Sequence, residues 1–358
     1  MNKTPLFQLS MRNEITKQYA WMVRIASFLF AILLGAVIFV CLGNNPLEAY
    51  GIILSGSLGK ASGIRQTVKY AVPLLGTALA LAPCFRMRYW NIGAEGQITA
   101  GAMAATFFAL NCKTMPRLPL LLVMAVAAAV IGGLWAAIPA LFKAKWGTNE
   151  TLFTLMMNYI IIGVVKWLQG GPWEGKPGSQ IIPNFVDNAI LPKVGGVHCG
   201  WIVVLVLVVL MFIYMNYSKH GYEIAVIGNS INTARYVGMN VGKIFIRTAF
   251  LSGAICGVVG YMVASGAHMT LYSDVAAGVG FTAITVAWLA QLNPFVMIII
   301  SVLMGVLEKG ASSLQTKLAI PASISDIIVG IFLFSMLAGE FFIRFKITLR
   351  GNKKEASV

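Results

Sequence analysis

Charge is scarce in this 358-residue chain. Asp, Glu, Lys and Arg together make up 11% of it, against roughly 25% in a soluble domain. That shortage excludes an ordinary water-exposed globular surface. Acidic side chains are scarcest, 12 against 27 Lys plus Arg, for a net charge of +15. In a soluble protein such an excess would suggest nucleic acid as a partner. Here the apolar background assigns it to membrane orientation, and no nucleic-acid role is expected. The five cysteines, Cys41, Cys84, Cys112, Cys199 and Cys256, stand singly without CxxC spacing, which leaves no disulfide framework or metal site. His198, His220 and His268 are far apart and give no ligand spacing. No GxxxxGK[ST] is present, and GxSxG and HExxH are missing too. The chain therefore has no P-loop, is not expected to be an enzyme, and any ATP hydrolysis belongs to a partner.

What it has is apolar length: 58% of its residues are hydrophobic. A spanning helix needs about 20 mostly apolar residues. Runs at 25–42, 68–85, a third ending near 110, 118–142, 152–168, 201–214, 248–264, 278–292, 295–307 and 324–342 predict an all-α polytopic membrane protein with about ten transmembrane helices. Pro73 and Pro83 are expected to break the second run. The eighth and ninth are short, separated only by Asn293-Pro294, and read as a hairpin that does not fully cross. Residues 46–58 are too few to span and read as an amphipathic piece at the outer surface. The basic, polar stretch 1–24 has no small-residue cleavage site, so the first run reads as a start-transfer helix. With the N-terminus inside, the larger share of Lys and Arg falls on inner segments, Arg86, Arg88, Lys143, Lys145, Lys219 and Arg235 among them. This bias predicts N-in and C-in with an even number of spans. The organisation expected is a cytoplasmic segment 1–24, a transmembrane body 25–343 with an external loop 170–197 and a cytoplasmic segment 218–245, and a basic cytoplasmic tail 344–358.

Several polar stretches interrupt the apolar runs. Tyr89-Trp90-Asn91-Ile92-Gly93-Ala94-Glu95-Gly96-Gln97 brings a carboxylate and two amides to membrane depth, where polar groups are costly unless they face a cavity or a partner. It reads either as a helix start, with Asn91 as cap and Glu95 beside the positive dipole end, or as the lining of a pathway. Gly147-Thr148-Asn149-Glu150 fits a second helix start, with Thr148 or Asn149 as cap. Asn158 lies inside a span, and helix packing and substrate contact are both open to it. The 170–197 loop, rich in Pro and Gly, is long enough to be functional. Residues 221–238 mix small and apolar residues between glycines and suit either a helix that docks on a soluble partner or an interfacial amphipathic loop. Asp326, Glu340, Lys69 and Lys166 lie near helix ends, where snorkelling or capping accounts for them.

Asn91 to Gln97, Gly147 to Glu150 with Thr154 to Tyr159, Asn232 to Gly238 leading into Leu251-Ser252-Gly253-Ala254, and Gly280 to Ala287 followed by Asn293-Pro294 occur in that order. Together they give a chain that resembles the permease subunits of bacterial ABC importers for branched-chain amino acids, ribose-type sugars and nucleosides. The likeness runs from about residue 46 to 342 and looks closest to the nucleoside branch and its simple-sugar neighbours. It implies a multi-pass protein of the bacterial cell membrane, built as two related halves. It implies three partners besides lipid: a second homologous permease forming a heterodimer, cytoplasmic ABC ATPase subunits that hold ATP and Mg, and an external substrate-binding lipoprotein or periplasmic protein. Asn91, Gly93, Glu95, Gln97, Asn158, Phe281, Thr282 and Trp288 would lie on the substrate path. Glu223, Gly228, Ala234, Arg235 and Gly238 would couple to the ATPase, and the 170–197 loop would face the binding protein. A nucleoside is the first expectation for cargo, with amides for its hydroxyls and Phe281 or Trp288 for its flat base. A simple sugar would need the same amides and fewer aromatics, and an ion-coupled carrier would use Glu95 and Asp326 instead. Lys166 and the run Cys256-Gly257-Val258-Val259-Gly260 depart from the small-residue pattern expected of such a family.

Overall fold

A computed structural model describes residues 7–12 and 16–349. The remainder of the N-terminal segment, and positions 350–358 of the basic tail, lie outside the described residues. The chain forms two compact units, one made from the stretches up to residue 60 and from 307 onward, the other from residues 61–306.

The first unit holds strand β1 (Phe7–Met11), helix α1 (Lys17–Cys41), helix α2 (Pro46–Leu58), the end of a helix that begins in the other unit, helix α13 (Ala322–Arg344) and strand β4 (Phe345–Leu349). α1 and α13 pack antiparallel: Arg24 pairs with Glu340 at 3.4 Å, and Phe28 meets Phe332 at 5.8 Å. β1 and β4 extend that contact as an antiparallel ribbon, Phe7 opposite Leu349 and Met11 opposite Phe345. α2 occupies the span expected of the short surface piece, with the Asn45 side chain accepting from the Leu47 N–H at 2.9 Å and Pro46 at its first position.

The second unit contains α3 (Ala61–Arg86), α4 (Ala94–Asn111), α5 (Arg117–Trp146), α6 (Glu150–Gln169), β2 (Lys193–Val194), β3 (Val197–His198), α7 (Gly200–Tyr217), α8 (Lys219–Asn229), α9 (Ile231–Tyr236), α10 (Val241–Met262) and α11 (Val279–Leu289). α12 (Pro294–Leu318) starts here, and α10 continues as a π-helical turn, Val263–His268. α3 and α10 are the central pair, with 83% and 72% of their most apolar stretches buried, against 28% for α7. Gly253, Gly257 and Gly260 put the α10 backbone directly against α5 and α4: an added Cβ would overlap the carbonyl oxygens of Ala128 at Gly257 and Ile98 at Gly260. The run Cys256 to Gly260 therefore does supply small-residue contacts of the kind helices use in lipid.

Eight described helices are long and apolar enough to cross a membrane. α4, with Glu95 and Gln97 in its first turns, and α11, 11 residues long, are the two further segments that the ten-span reading counts. Two expectations are corrected. α3 runs unbroken through Pro73 and Pro83, as helices at membrane depth tolerate proline where their surroundings receive the released backbone groups. The ninth run is longer than expected: α12 has 25 residues, enough to cross, and continues past Glu308 and Lys309, charges that end the apolar run but not the helix. The 170–197 loop is folded down. Ile182, Phe185, Ala189 and Leu191 are buried, and the Phe185 and Leu191 N–H groups donate to the Met269 and Ser265 carbonyls at 2.8 and 3.2 Å.

Candidate functional site

Two short helices begin beside one another. α4 starts after the Asn91-Ile92-Gly93 turn, and α11 starts after Gly278, whose φ of 76° is left-handed and suits glycine. The Glu95 carboxylate joins them: one oxygen accepts from the Gly278 N–H and the other from the Gly280 N–H, each at 2.7 Å. Glu95 thus caps the positive end of α11 rather than that of its own helix. Gly280 permits the approach, since a Cβ there would overlap the Glu95 backbone N. Both carboxylate oxygens are spoken for, and Glu95 is 5% exposed.

The amides upstream and opposite are equally occupied. The Asn91 side chain donates to Gln97 Oε1 and to Ser252 Oγ, both at 3.2 Å, and accepts from Gln97 Nε2 at 2.9 Å and from the Gly93 N–H at 3.1 Å. Asn91 caps the turn two residues before the helix, where Gly93 takes the cap position. Asn158, from the middle of α6, accepts from the Gly96 N–H at 2.8 Å and donates to the Ile92 carbonyl at 3.0 Å. Thr154 Oγ1 accepts from the Ile92 N–H at 3.1 Å. All of this is buried: Asn91 0%, Gln97 2% and Asn158 2% exposed. The geometry holds a non-helical turn whose Asn91, Ile92 and Gly93 N–H groups and Ile92 and Gly93 carbonyls are all paired. Ser252 and Thr154 belong to this set, and only their place within the family-like motifs pointed to them.

α11 offers a different surface. Phe281 is exposed and Thr282, Thr285 and Trp288 are half-buried, while Gly280, Ala283, Val286 and Ala287 face the packed side. Trp288 stacks on Phe85 at 5.7 Å and on Trp90 at 5.5 Å. Trp90 was not among the residues singled out from the sequence; its neighbour Asn91, with the stronger polar signal, drew attention away from it.

The 218–245 segment forms α8 and α9, each started by a serine cap: Ser218 accepts from the Gly221 N–H at 3.0 Å and Ser230 from the Thr233 N–H at 3.2 Å. Of the residues expected to couple, Glu223 is turned to Arg247 in a 2.6 Å ion pair, and Gly228 and Ala234 are buried. Arg235 and Gly238 are exposed, together with Tyr222, Tyr236 and Val237. Asn149 is the cap of α6, accepting from the Thr151 N–H at 3.0 Å, and Glu150 pairs with Lys143 at 2.7 Å. His198, in the hairpin before α7, is 1% exposed with both ring nitrogens unpartnered. Burial, then the nearby Lys69 ammonium, lowers its pKa to about 4.

Residues 63–337 match the model of the branched-chain amino acid transport system / permease component family. Three relatives are similar over nearly their whole length. A glucose ABC transporter permease protein of Haloferax volcanii is 30% identical over 98% of this chain and 96% of its own. A guanosine ABC transporter permease protein of Bacillus subtilis is 28% identical over 90% and 94%. A nucleoside ABC transporter permease protein of Lactococcus lactis is 26% identical over 90% and 92%.

Proposed function

The chain belongs to the branched-chain amino acid transport system permease component family, and from that premise we propose that it forms the path by which an ATP-driven importer carries nucleosides into the cell. As a member of that family it is a multi-pass protein of the plasma membrane that works with an ABC ATPase and a substrate-binding protein, and it is not itself the ATPase. The finer assignments are ours. Ten crossings, counting α4 and α11, run from a cytoplasmic N-terminus to a cytoplasmic C-terminus. The second permease is a homologue, so the pore is a heterodimer set in lipid. ATP and Mg sit on the ATPase subunits, which engage the exposed side of α9 around Arg235 and Gly238, supported by Glu223, Gly228 and Ala234.

The observation that carries the substrate reading is the face of α11. Phe281 and Trp288, seven residues apart, stand two helical turns from one another, with Thr282 and Thr285 between them and Trp90 stacked at the end. Aromatic faces with interleaved hydroxyls suit a flat base joined to a sugar. Asn91, Gly93, Glu95, Gln97 and Asn158 belong to the path as its frame: they hold the two helix starts in place so that the α11 face stays turned to the cargo. Two of the three relatives above carry nucleoside names, guanosine among them, and the third a glucose name.

The test is uptake of radiolabelled guanosine, uridine and glucose by cells expressing the complete transporter, each challenged with the others unlabelled. Saturable nucleoside uptake that glucose does not inhibit is expected. Uptake of glucose that nucleosides leave untouched would replace this reading with a simple-sugar importer, and accumulation that follows an ion gradient without ATP would replace it with a secondary carrier.

A further inference from the structure

Residues 89 and 90 are neighbours in sequence with opposite surroundings. Tyr89 is buried in the apolar cluster beneath α8, α9 and α10, packed with Met87, Ile224, Ile227 and Phe245. Trp90 is 44% exposed and lays its indole on Trp288, 20° from coplanar. Trp288 is the last aromatic on the α11 face, one turn beyond Thr285. The stack therefore stands where that face ends, on the side of the molecule that carries α8 and α9.

Three further observations bear on these two residues. α8 meets the chain just before them backbone to backbone: a Cβ at Gly228 would overlap the Arg86 carbonyl oxygen. Arg86 also donates to the Met215 carbonyl at 2.8 Å, which ties the same point to the end of α7. Arg88 holds a left-handed φ of 58°, a conformation that strains a residue with a side chain and that clusters at functional sites, switch segments among them. The Tyr89 hydroxyl is buried with no hydrogen-bond partner, which disfavours the arrangement in which it is found.

We propose that Trp90 closes the inner end of the path by stacking on Trp288, and that residues 86–90 carry the movement of α8 and α9 to this gate. Tyr89 and Gly228 are the positioning residues. The proposal rests on the path and coupling assignments made above. Close-packed contacts transmit displacement rather than absorb it. With no side chain between Gly228 and the Arg86 carbonyl, a shift of α8 moves Arg86, turns the strained Arg88, withdraws Tyr89 from the cluster and lifts Trp90 from Trp288.

The test needs no knowledge of the cargo. Thr285→Cys is introduced into the complete transporter, and a membrane-impermeant maleimide is added to the cytoplasmic side of inside-out vesicles; the parent chain with its five natural cysteines gives the background. Trp90→Ala is expected to raise the rate of labelling at position 285 at least fivefold, and Trp90→Phe, which keeps a stacking ring, to return it to that of the Thr285→Cys chain. Tyr89→Phe, which removes the unpartnered hydroxyl and favours the closed setting, is expected to lower the rate at least twofold. Trp90→Leu stands in should the alanine variant fail to reach the membrane. Unchanged labelling in Trp90→Ala and Trp90→Leu, or labelling in Trp90→Phe as fast as in Trp90→Ala, would overturn the gate. An unaltered rate in Tyr89→Phe would overturn the transmission. No labelling at position 285 in any variant would overturn the path assignment on which the gate depends. Loss of the nucleoside reading in uptake assays would leave every one of these rates as they are.

Discussion

The start of α4 and the face of α11 lie side by side, yet they treat polarity in opposite ways. The first concentrates the polar groups, Asn91, Glu95 and Gln97 with Asn158 from α6, and buries each of them with its hydrogen bonds made within the chain. The second is apolar by sequence and leaves Phe281, Thr282, Thr285 and Trp288 at least partly uncovered. At membrane depth an unpaired polar group is expensive, so the most polar stretch becomes the frame. The less polar one is the face that the proposed function gives to the cargo. Polarity here marks where the backbone leaves the helix.

The contrast is open to test, from the largest expected effect to the smallest. Glu95→Ala would leave the Gly278 and Gly280 N–H groups without acceptors. At about 1–3 kcal/mol for each orphaned buried donor, the loss is on the order of 2–6 kcal/mol. Thermal unfolding in detergent should show it as a large fall in Tm, with Glu95→Gln intermediate because the amide oxygen still serves one donor. A Tm equal to wild type would remove the clamp. Asn158→Ala should cost on the order of 1–3 kcal/mol by orphaning the Gly96 N–H, read in the same assay, and Asn158→Asp should not rescue it, since it sets a carboxylate against the Ile92 carbonyl.

A buried polar group outside the frame, one that lacks a partner, should behave differently. His198 titrates near 6.5 when unfolded and about 4 when folded. The folded form therefore binds fewer protons, and stability should fall as pH drops from 6.5 toward 4. At pH 5 the loss is on the order of 1–2 kcal/mol, and His198→Phe should flatten that part of the Tm profile; an unchanged profile would exclude His198 as its source. Phe281→Ala, on the open face, should move stability by less than about 0.5 kcal/mol. Its effect belongs in transport: loss of one stacking ring at about 1–3 kcal/mol per base should weaken nucleoside uptake roughly tenfold. A variant that lost stability and kept uptake would reverse the roles of frame and face.

The helical bodies were legible in the sequence because a bilayer asks for long apolar runs, and α1, α5, α6, α7 and α13 lie where those runs lie. Continuation through Pro73, Pro83, Glu308 and Lys309 was not, since single residues that end helices in water are tolerated where neighbours or an interface receive them. Glu95 was visible as a polar residue out of place. Its partners, more than 180 positions away in sequence, are backbone groups of glycines, which carry no side-chain signal. β1 and β4 went unread for a related reason: each is short, and its stability comes from pairing across the whole helical body.

That ribbon bears on how the protein is made. β1 precedes α1 in the chain, and its hydrogen-bonding edge has no partner there until β4 has been translated. An unpaired strand edge is a template for wrong partners, so the nascent chain carries an open clasp through every insertion step. Because β4 follows α13 directly, the clasp can close only after the last helix has been made. A chain cut short before residue 345 would keep its helices and lose the ribbon, leaving the β1 edge open for as long as the molecule lasts.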